Sequence, residues 1–222
     1  MKRTLLGAAS ALSILLAGAV YAAPADQPGH KSPAPGTNSE PVSAVEDAAA
    51  GMVGVVSAEM TTTTKGFVQA AAVSDMYEVE AGRIAERRAQ SSEVRNFARK
   101  MVEAHTGTTD KLKSVLAENN IHIAAPRHLD DRRQGMIDNL RGATAADFDH
   151  RYLVQQEAAH REAEILMRGY AKDGENPAVR QFAADTLPAV QDHLAMVKAM
   201  EGERKNASAE HPGSYKVGQN QN

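Results

Sequence analysis

The sequence contains no cysteine. A chain without cysteine has no disulfides, and it lacks the lipid-modified cysteine that anchors a bacterial lipoprotein. Its fold must therefore rest on buried apolar surface or on a bound ligand. Aromatic residues are also scarce, at 4% of the chain. The positions that should face the core are mostly alanine, which favours helices packed closely together.

Alternation of apolar and polar residues with a period of two is missing as well, so the sequence predicts no strands. Helical periodicity instead predicts four long helices and a short one, at about 67–90, 92–119, 129–141, 147–172 and 177–204. Ser91 or Ser92 is the predicted N-cap of the second long helix, and Asn176 is the predicted N-cap of the fourth. The predicted fold is an all-α, antiparallel four-helix bundle with a short extra helix before the third long helix.

Residues 1–22 have the features of a secretory signal peptide. Lys2 and Arg3 precede an apolar run from 5 to 20, and Val20-Tyr21-Ala22 fits a signal peptidase site. The run is short for a membrane span, so we expect cleavage after Ala22 and no transmembrane segment in the mature chain. The predicted location is outside the cytoplasm, in a bacterial periplasm.

The mature chain is acidic and contains one predicted domain. Loss of Lys2 and Arg3 changes the formal net charge from −3 to −5, which argues against nucleic acid as a partner. Residues 23–65 are rich in proline and threonine and predict a disordered linker, with weak helical character at 42–58. The bundle domain is predicted at 66–204, and a disordered tail at 205–222.

Four polar side chains occupy the apolar seams of the four long helices. Glu78, His105, His160 and His193 each lie on a different helix, at a position that should face the core. Burial of such groups costs free energy unless they form hydrogen bonds or bind a ligand. Glu78 and His105 lie at nearly equal distances from Ser91, so antiparallel helices would place them at the same height. The sequence therefore predicts a polar cluster inside the bundle.

Glu157 is a further candidate, because the register of the last two helices is less favourable. Counted from Gly174, His160 and His193 differ in height by about five residues, or roughly 7 Å. Glu157 matches His193 better, and it forms a Glu-x-x-His motif with His160. In ferritin-like bundles this spacing lets a carboxylate and an imidazole converge on one metal.

Several short motifs between about residue 67 and residue 200 together resemble a known family. They are Phe67-x-x-x-Ala71, Glu78-x-x-x-Gly82-x-x-Ala85, Phe97-Ala98-x-x-Met101-Val102-x-x-His105-Thr106, Phe148-Asp149-x-x-Tyr152, His160, and Leu187-Pro188-x-x-x-x-His193. The set is similar to a periplasmic ferritin-like domain family of unknown function, whose members are often labelled outer membrane proteins. The resemblance implies a ferritin-like bundle in a secreted protein, and it implies no reaction.

The donor set differs from that of di-iron bundles. Those sites need a Glu on each of two helices and Glu-x-x-His on each of the other two. Val102 and Val190 stand three residues before His105 and His193, so only the third long helix carries the motif. Three imidazoles with one carboxylate suit a single divalent metal, Zn or Cu before Fe or Mn. The candidate ligands are Glu78, His105, His160, His193 and Glu157.

Three classes of function remain open at this point. The first is a metal-binding or metal-buffering bundle. The second is a non-enzymatic envelope protein that binds a protein partner or assists stress survival, in which the histidines form a metal-free polar layer that fixes helix register. The third, a ferritin-like oxidoreductase, is disfavoured by the missing carboxylates. No nucleophile–base pattern or glycine-rich phosphate loop is present, so the sequence does not indicate an enzyme.

Overall fold

The computed structural model describes residues 40–59 and 61–210, which form six α-helices and no strands. The helices are α1 (Glu40–Glu59), α2 (Thr64–Arg88), α3 (Ser92–Glu118), α4 (Asp131–Gly142), α5 (Ala145–Asp173) and α6 (Pro177–Glu210). The prediction of an all-α chain is confirmed for this part of the protein. None of these helices is long and apolar enough to cross a membrane.

The helices begin where the sequence supplies a capping side chain. The Ser91 hydroxyl accepts hydrogen bonds from the backbone N–H groups two and three residues later, and the Asn176 side chain does the same. Each cap satisfies donors that have no partner within the helix. Pro177 then opens α6 at a position where its missing N–H does no harm. Both predicted caps are present.

The four long helices α2, α3, α5 and α6 contact one another in a ring. The most extensive contacts are between α2 and α3 and between α5 and α6, the two pairs that are consecutive in the chain. The ring is closed by contacts of α2 with α5 and of α3 with α6, and the α3–α6 contact is the least extensive of the four. Outside the ring, α1 packs on α5 and α4.

A buried polar layer divides the apolar core into two clusters. One cluster contains Phe97, Ile137 and Phe148, and the other contains Phe67 and Phe182. Along each long helix, the residues of one cluster precede the layer and those of the other follow it. The three seam histidines lie in this layer, and none of them is more than 6% exposed. The site therefore lies midway along the helices, with apolar packing on both sides.

Helices extend beyond the four predicted long helices at both ends. Residues 40–59, part of the predicted linker with its weak helical character at 42–58, form a 20-residue helix that contacts with α5 and α4 stabilise. Asp47 of α1 is buried and accepts hydrogen bonds from Gln155 and Asn139. At the other end α6 continues to Glu210, past the predicted boundary at 204. The predicted signal peptide at 1–22, residues 23–39 and residues 211–222 lie outside the described residues.

The glycines that weaken the helical pattern of α1 are sites of close approach. A Cβ atom on Gly51 would lie 3.1 Å from the Cβ of Ala158 on α5, and one on Gly54 would overlap the Glu162 carboxylate. Glu162 is buried and accepts hydrogen bonds from Arg132 at 2.9 Å and Arg133 at 2.6 Å. Glycine at residue 54 thus lets α1 approach this buried ion cluster.

Gly54→Ala should destabilise the protein, because the added methyl group displaces the Glu162 carboxylate from its two arginines. We expect a loss of about 1–3 kcal/mol in urea unfolding. Gly135→Ala is the control, since Gly135 is exposed in α4 with no atom within 4 Å of an added Cβ. It should stabilise the helix by about 0.5–1 kcal/mol. Equal effects of the two substitutions would contradict the packing of α1 described above.

Candidate metal centre

Three histidines from three different helices meet in the buried polar layer. His105 belongs to α3, His160 to α5 and His193 to α6, and they are 5%, 1% and 6% exposed. Their ring centroids are 5.4–5.8 Å apart. One ring nitrogen of each lies within 4.8 Å of those of the other two. The seam positions have therefore brought three potential metal ligands to one point.

Hydrogen bonds hold two of the three rings in a defined tautomer. Nδ1 of His105 donates to Oδ1 of Asp75 at 2.8 Å, and Nδ1 of His160 donates to the backbone carbonyl of Gln156 at 3.0 Å. The Nε2 atoms of both rings are buried and have no hydrogen-bond partner among the described residues, and neither has Nδ1 of His193. A buried polar atom without a partner costs about 1–3 kcal/mol. Three such ring nitrogens in one layer indicate a ligand that could pair with all of them.

The arrangement matches the chemistry of an imidazole metal site. A histidine that binds a metal usually donates its other ring N–H to a carboxylate or a backbone carbonyl, as His105 and His160 do. Three protein ligands with one position left open are typical of zinc sites that also hold water or a small ligand. Nitrogens on a tetrahedral zinc are roughly 3.4 Å apart. Metal binding would therefore bring one nitrogen of each ring to roughly this distance from the other two.

The three imidazoles differ in their affinity for protons. Burial and, to a smaller extent, the charge of His105 lower the pKa of His160 to about 3. Burial and the charges of His160 and His105 also lower the pKa of His193 to about 3. Burial opposes the charged form of His105 too, but the hydrogen bond to Asp75 and the charge of Glu78 outweigh it and raise its pKa. His105 is thus the ring of the three that most favours the protonated, charged form.

Two carboxylates support the rings from outside the cluster. Oδ2 of Asp75 accepts a hydrogen bond from the Thr109 hydroxyl at 3.0 Å. Oε2 of Glu78 accepts one from Nε2 of Gln156 at 2.6 Å, and Oε1 lies 3.7 Å from Nδ1 of His160. Burial raises the pKa of both carboxyl groups. Both carboxylates approach the Nδ1 side of a ring and leave its Nε2 free.

A family model for a domain of unknown function, DUF4142, matches residues 52–200. The chain belongs to the DUF4142 family. The match begins in α1 and ends in α6, so it includes all three histidines and the two carboxylates beside them. Comparison with curated proteins and with solved structures gave no match.

In this DUF4142 chain, four of the five predicted ligands lie together. Glu78, His105, His160 and His193 share the buried layer, whereas the Glu157 side chain is 28% exposed and pairs with Arg161 at 2.6 Å. Residue counts favoured Glu157 because they ignore the direction of side chains, which tilt toward the N-terminus of their helix. In the antiparallel α5–α6 pair this tilt moves the His160 ring away from the connecting loop and the His193 ring toward it, so the two rings meet.

Sequence reasoning missed two residues of the site, Asp75 and Gln156. Asp75 lies three residues before Glu78, on the same face of α2, so the Asp-x-x-Glu spacing was a usable signal. Gln156 stands one turn before His160 on the seam of α5. A long polar residue at a core position needs a partner, and its amide group binds Glu78. The hydrogen bond to Asp75 also helps to raise the pKa of His105, which no single seam position could indicate.

Replacement of His160 by Asn should weaken the pH dependence of stability in metal-free protein. The folded-state pKa of His160 is about 3 and the unfolded value is near 6.5, so between these pH values the unfolded chain binds one more proton. Each unit of pH below about 6 should therefore cost the wild type about 1.4 kcal/mol through this residue, and the variant nothing. Urea unfolding at pH 6 and pH 5, with chelator present, measures the difference.

His122→Asn is the matched control, because it removes an exposed histidine outside the buried layer. If His160→Asn and this control showed the same dependence of stability on pH, His160 would not be a buried neutral imidazole.

Proposed function

We propose that this protein is an exported helical bundle that binds one divalent transition metal through His105, His160 and His193. The observation that carries the proposal is a cluster of three buried histidines, each with a buried ring nitrogen that has no partner among the described residues. One ring nitrogen of each lies within 4.8 Å of one from each of the others. A metal ion would satisfy all three at once. Asp75 and Gln156 would hold two of the ligands in the tautomer that binding needs.

The architecture we propose is a ferritin-like four-helix bundle. The ring of contacts among α2, α3, α5 and α6 supports it, as do the two consecutive helix pairs from which that ring is built. Ferritin-like proteins also hold their metals between the four helices, on side chains that project inward. Here the inward donors are imidazoles, so the metal chemistry should differ from that of a di-iron site.

Zinc or copper is the metal that this donor set favours. Neutral imidazole suits Zn and Cu, whereas Mn and Mg prefer carboxylates, and Fe sites usually combine the two. Asp75 and Glu78 support the rings from their Nδ1 side and are not grouped with the three nitrogens. A metal would bind the neutral form of His105, in which Nδ1 donates to Asp75 and Nε2 carries no proton. The affinity for metal should therefore fall as the pH drops below the raised pKa of His105.

We assign metal binding or buffering as the activity of the protein. A metal ion that binds only the folded state also stabilises that state. At a hundredfold excess over the dissociation constant the gain is about 2.7 kcal/mol. A metal-free polar layer that fixes helix register would pair its own groups. Here three nitrogens of the layer are unpaired, which favours the metal.

Zinc should raise the melting temperature of untagged protein by roughly 5–10 °C at such an excess. His105→Ala, His160→Ala and His193→Ala should each abolish the rise, because each removes one of three ligands. His150→Ala and Glu157→Ala are the controls, since both side chains are partly exposed and outside the cluster, and both variants should keep the rise. Thermal unfolding with Zn, Cu, Fe and Mn measures the rise in melting temperature for each variant. No rise in wild type with any of these metals would refute the proposal and leave the polar-layer alternative.

Export to the periplasm is the second part of the proposal, and the features of residues 1–22 support it. The mature protein from its native host should begin at Ala23, or within one or two residues of it. N-terminal sequencing identifies the first residue of the mature protein. A folded native protein that retains Met1 would show that the segment is not cleaved as a signal peptide.

A further inference from the structure

A cavity of about 330 Å³ lies beside the three histidines, between α3 and α6. His105 and His193 form part of its buried wall. Lys111 and Asp185 line it as well, with side chains about half exposed and 3.5 Å apart, so this part of the cavity is near the surface. An apolar cavity of about 150 Å³ can hold benzene, so there is room here for a small organic molecule.

Small side chains create this space within the bundle. Ala71 of α2 and Ala163 of α5 are 1% and 5% exposed, and both line the cavity. Met167 and Val190, each 4% exposed, add apolar surface to the same walls. The cavity thus combines an apolar wall with direct access to two of the three imidazoles.

The open side of a metal bound at the histidines would face this cavity. His105 and His193 line it, whereas His160 does not. An ion held by the three nitrogens would therefore have His160 on one side and the empty space on the other. Three-ligand zinc sites keep their fourth position for water or an exogenous ligand.

A carboxylate suits that position, because zinc in proteins binds carboxylate oxygens alongside imidazole nitrogens. Asp75 and Glu78 lie on the Nδ1 sides of His105 and His160, so neither of them occupies it. The fourth position is therefore left for a ligand that enters through the cavity.

We propose that the cavity binds a short-chain monocarboxylate, whose carboxylate takes the fourth metal position and whose alkyl chain packs against Met167, Val190 and the alanines. This inference rests on the proposed function, because it needs the bound metal. The carboxylate supplies the fourth ligand atom, and the alkyl chain fills the cavity beside it. Binding of the carboxylate involves coordination to the metal and packing of the alkyl chain, with no covalent step.

Cobalt-substituted protein offers the test, because the visible spectrum of Co²⁺ reports a change in its ligands. Acetate and butyrate should each alter the spectrum of the wild-type cobalt protein in titrations. Butyrate should bind on the order of tenfold more tightly, since each buried methylene contributes roughly fourfold. Absence of Co²⁺ binding would overturn the metal site and the carboxylate site together. Bound Co²⁺ with a spectrum that neither anion changes would overturn the carboxylate site alone.

Ala163→Leu should fill the cavity without altering a metal ligand. It should keep Co²⁺ binding and lose the preference for butyrate. Ala104→Leu, on α3 across the same cavity, is the second variant should the first not fold. Ala184→Leu, exposed on α6 and outside the cavity lining, is the control and should behave as wild type. A preference for butyrate that survives in the folded cavity variants would show that the anion binds elsewhere.

Discussion

A buried imidazole nitrogen needs a partner, and three of them share one space at the centre of this bundle. The hydrogen bonds from His105 to Asp75 and from His160 to the Gln156 carbonyl fix which nitrogens remain unpaired. Without a ligand the layer costs free energy, at about 1–3 kcal/mol for each unpaired atom. The apolar clusters on both sides must offset that cost. The bundle is thus built around a site that is unfavourable when empty.

The centre of α5 connects this site to the rest of the protein. Gln155 and Gln156 are adjacent, fully buried, and point to different neighbours. Gln156 donates to Glu78 at the histidine layer, whereas Gln155 donates to Asp47 of α1 and accepts from Tyr77 of α2. Two consecutive residues therefore join the candidate metal site to the outer helix α1. A shift of α5 on metal binding would therefore change the contacts of both the histidine layer and helix α1.

Sequence periodicity predicted the helices and the common burial of Glu78, His105, His160 and His193, because a seam position determines which way a side chain faces. It could not determine the partners within the layer. Those depend on how far each helix slides along its neighbour and on the tilt of each side chain, which brought His160 rather than Glu157 to His193. The sequence pattern also underestimated the length and stability of helix α1. Its glycines weaken an isolated helix, but in the fold they allow close contact with α5, and tertiary packing outweighs local propensity.

Anomalous diffraction at the zinc edge, from crystals of untagged protein grown with zinc, tests the central claim most directly. We expect one strong peak inside the bundle, about 2.0–2.1 Å from one nitrogen of each of His105, His160 and His193. The rings should be closer together than their present 5.4–5.8 Å, and Nδ1 of His105 should still donate to Asp75. An empty layer with unmoved rings, or zinc bound only to exposed side chains, would contradict the proposed metal site.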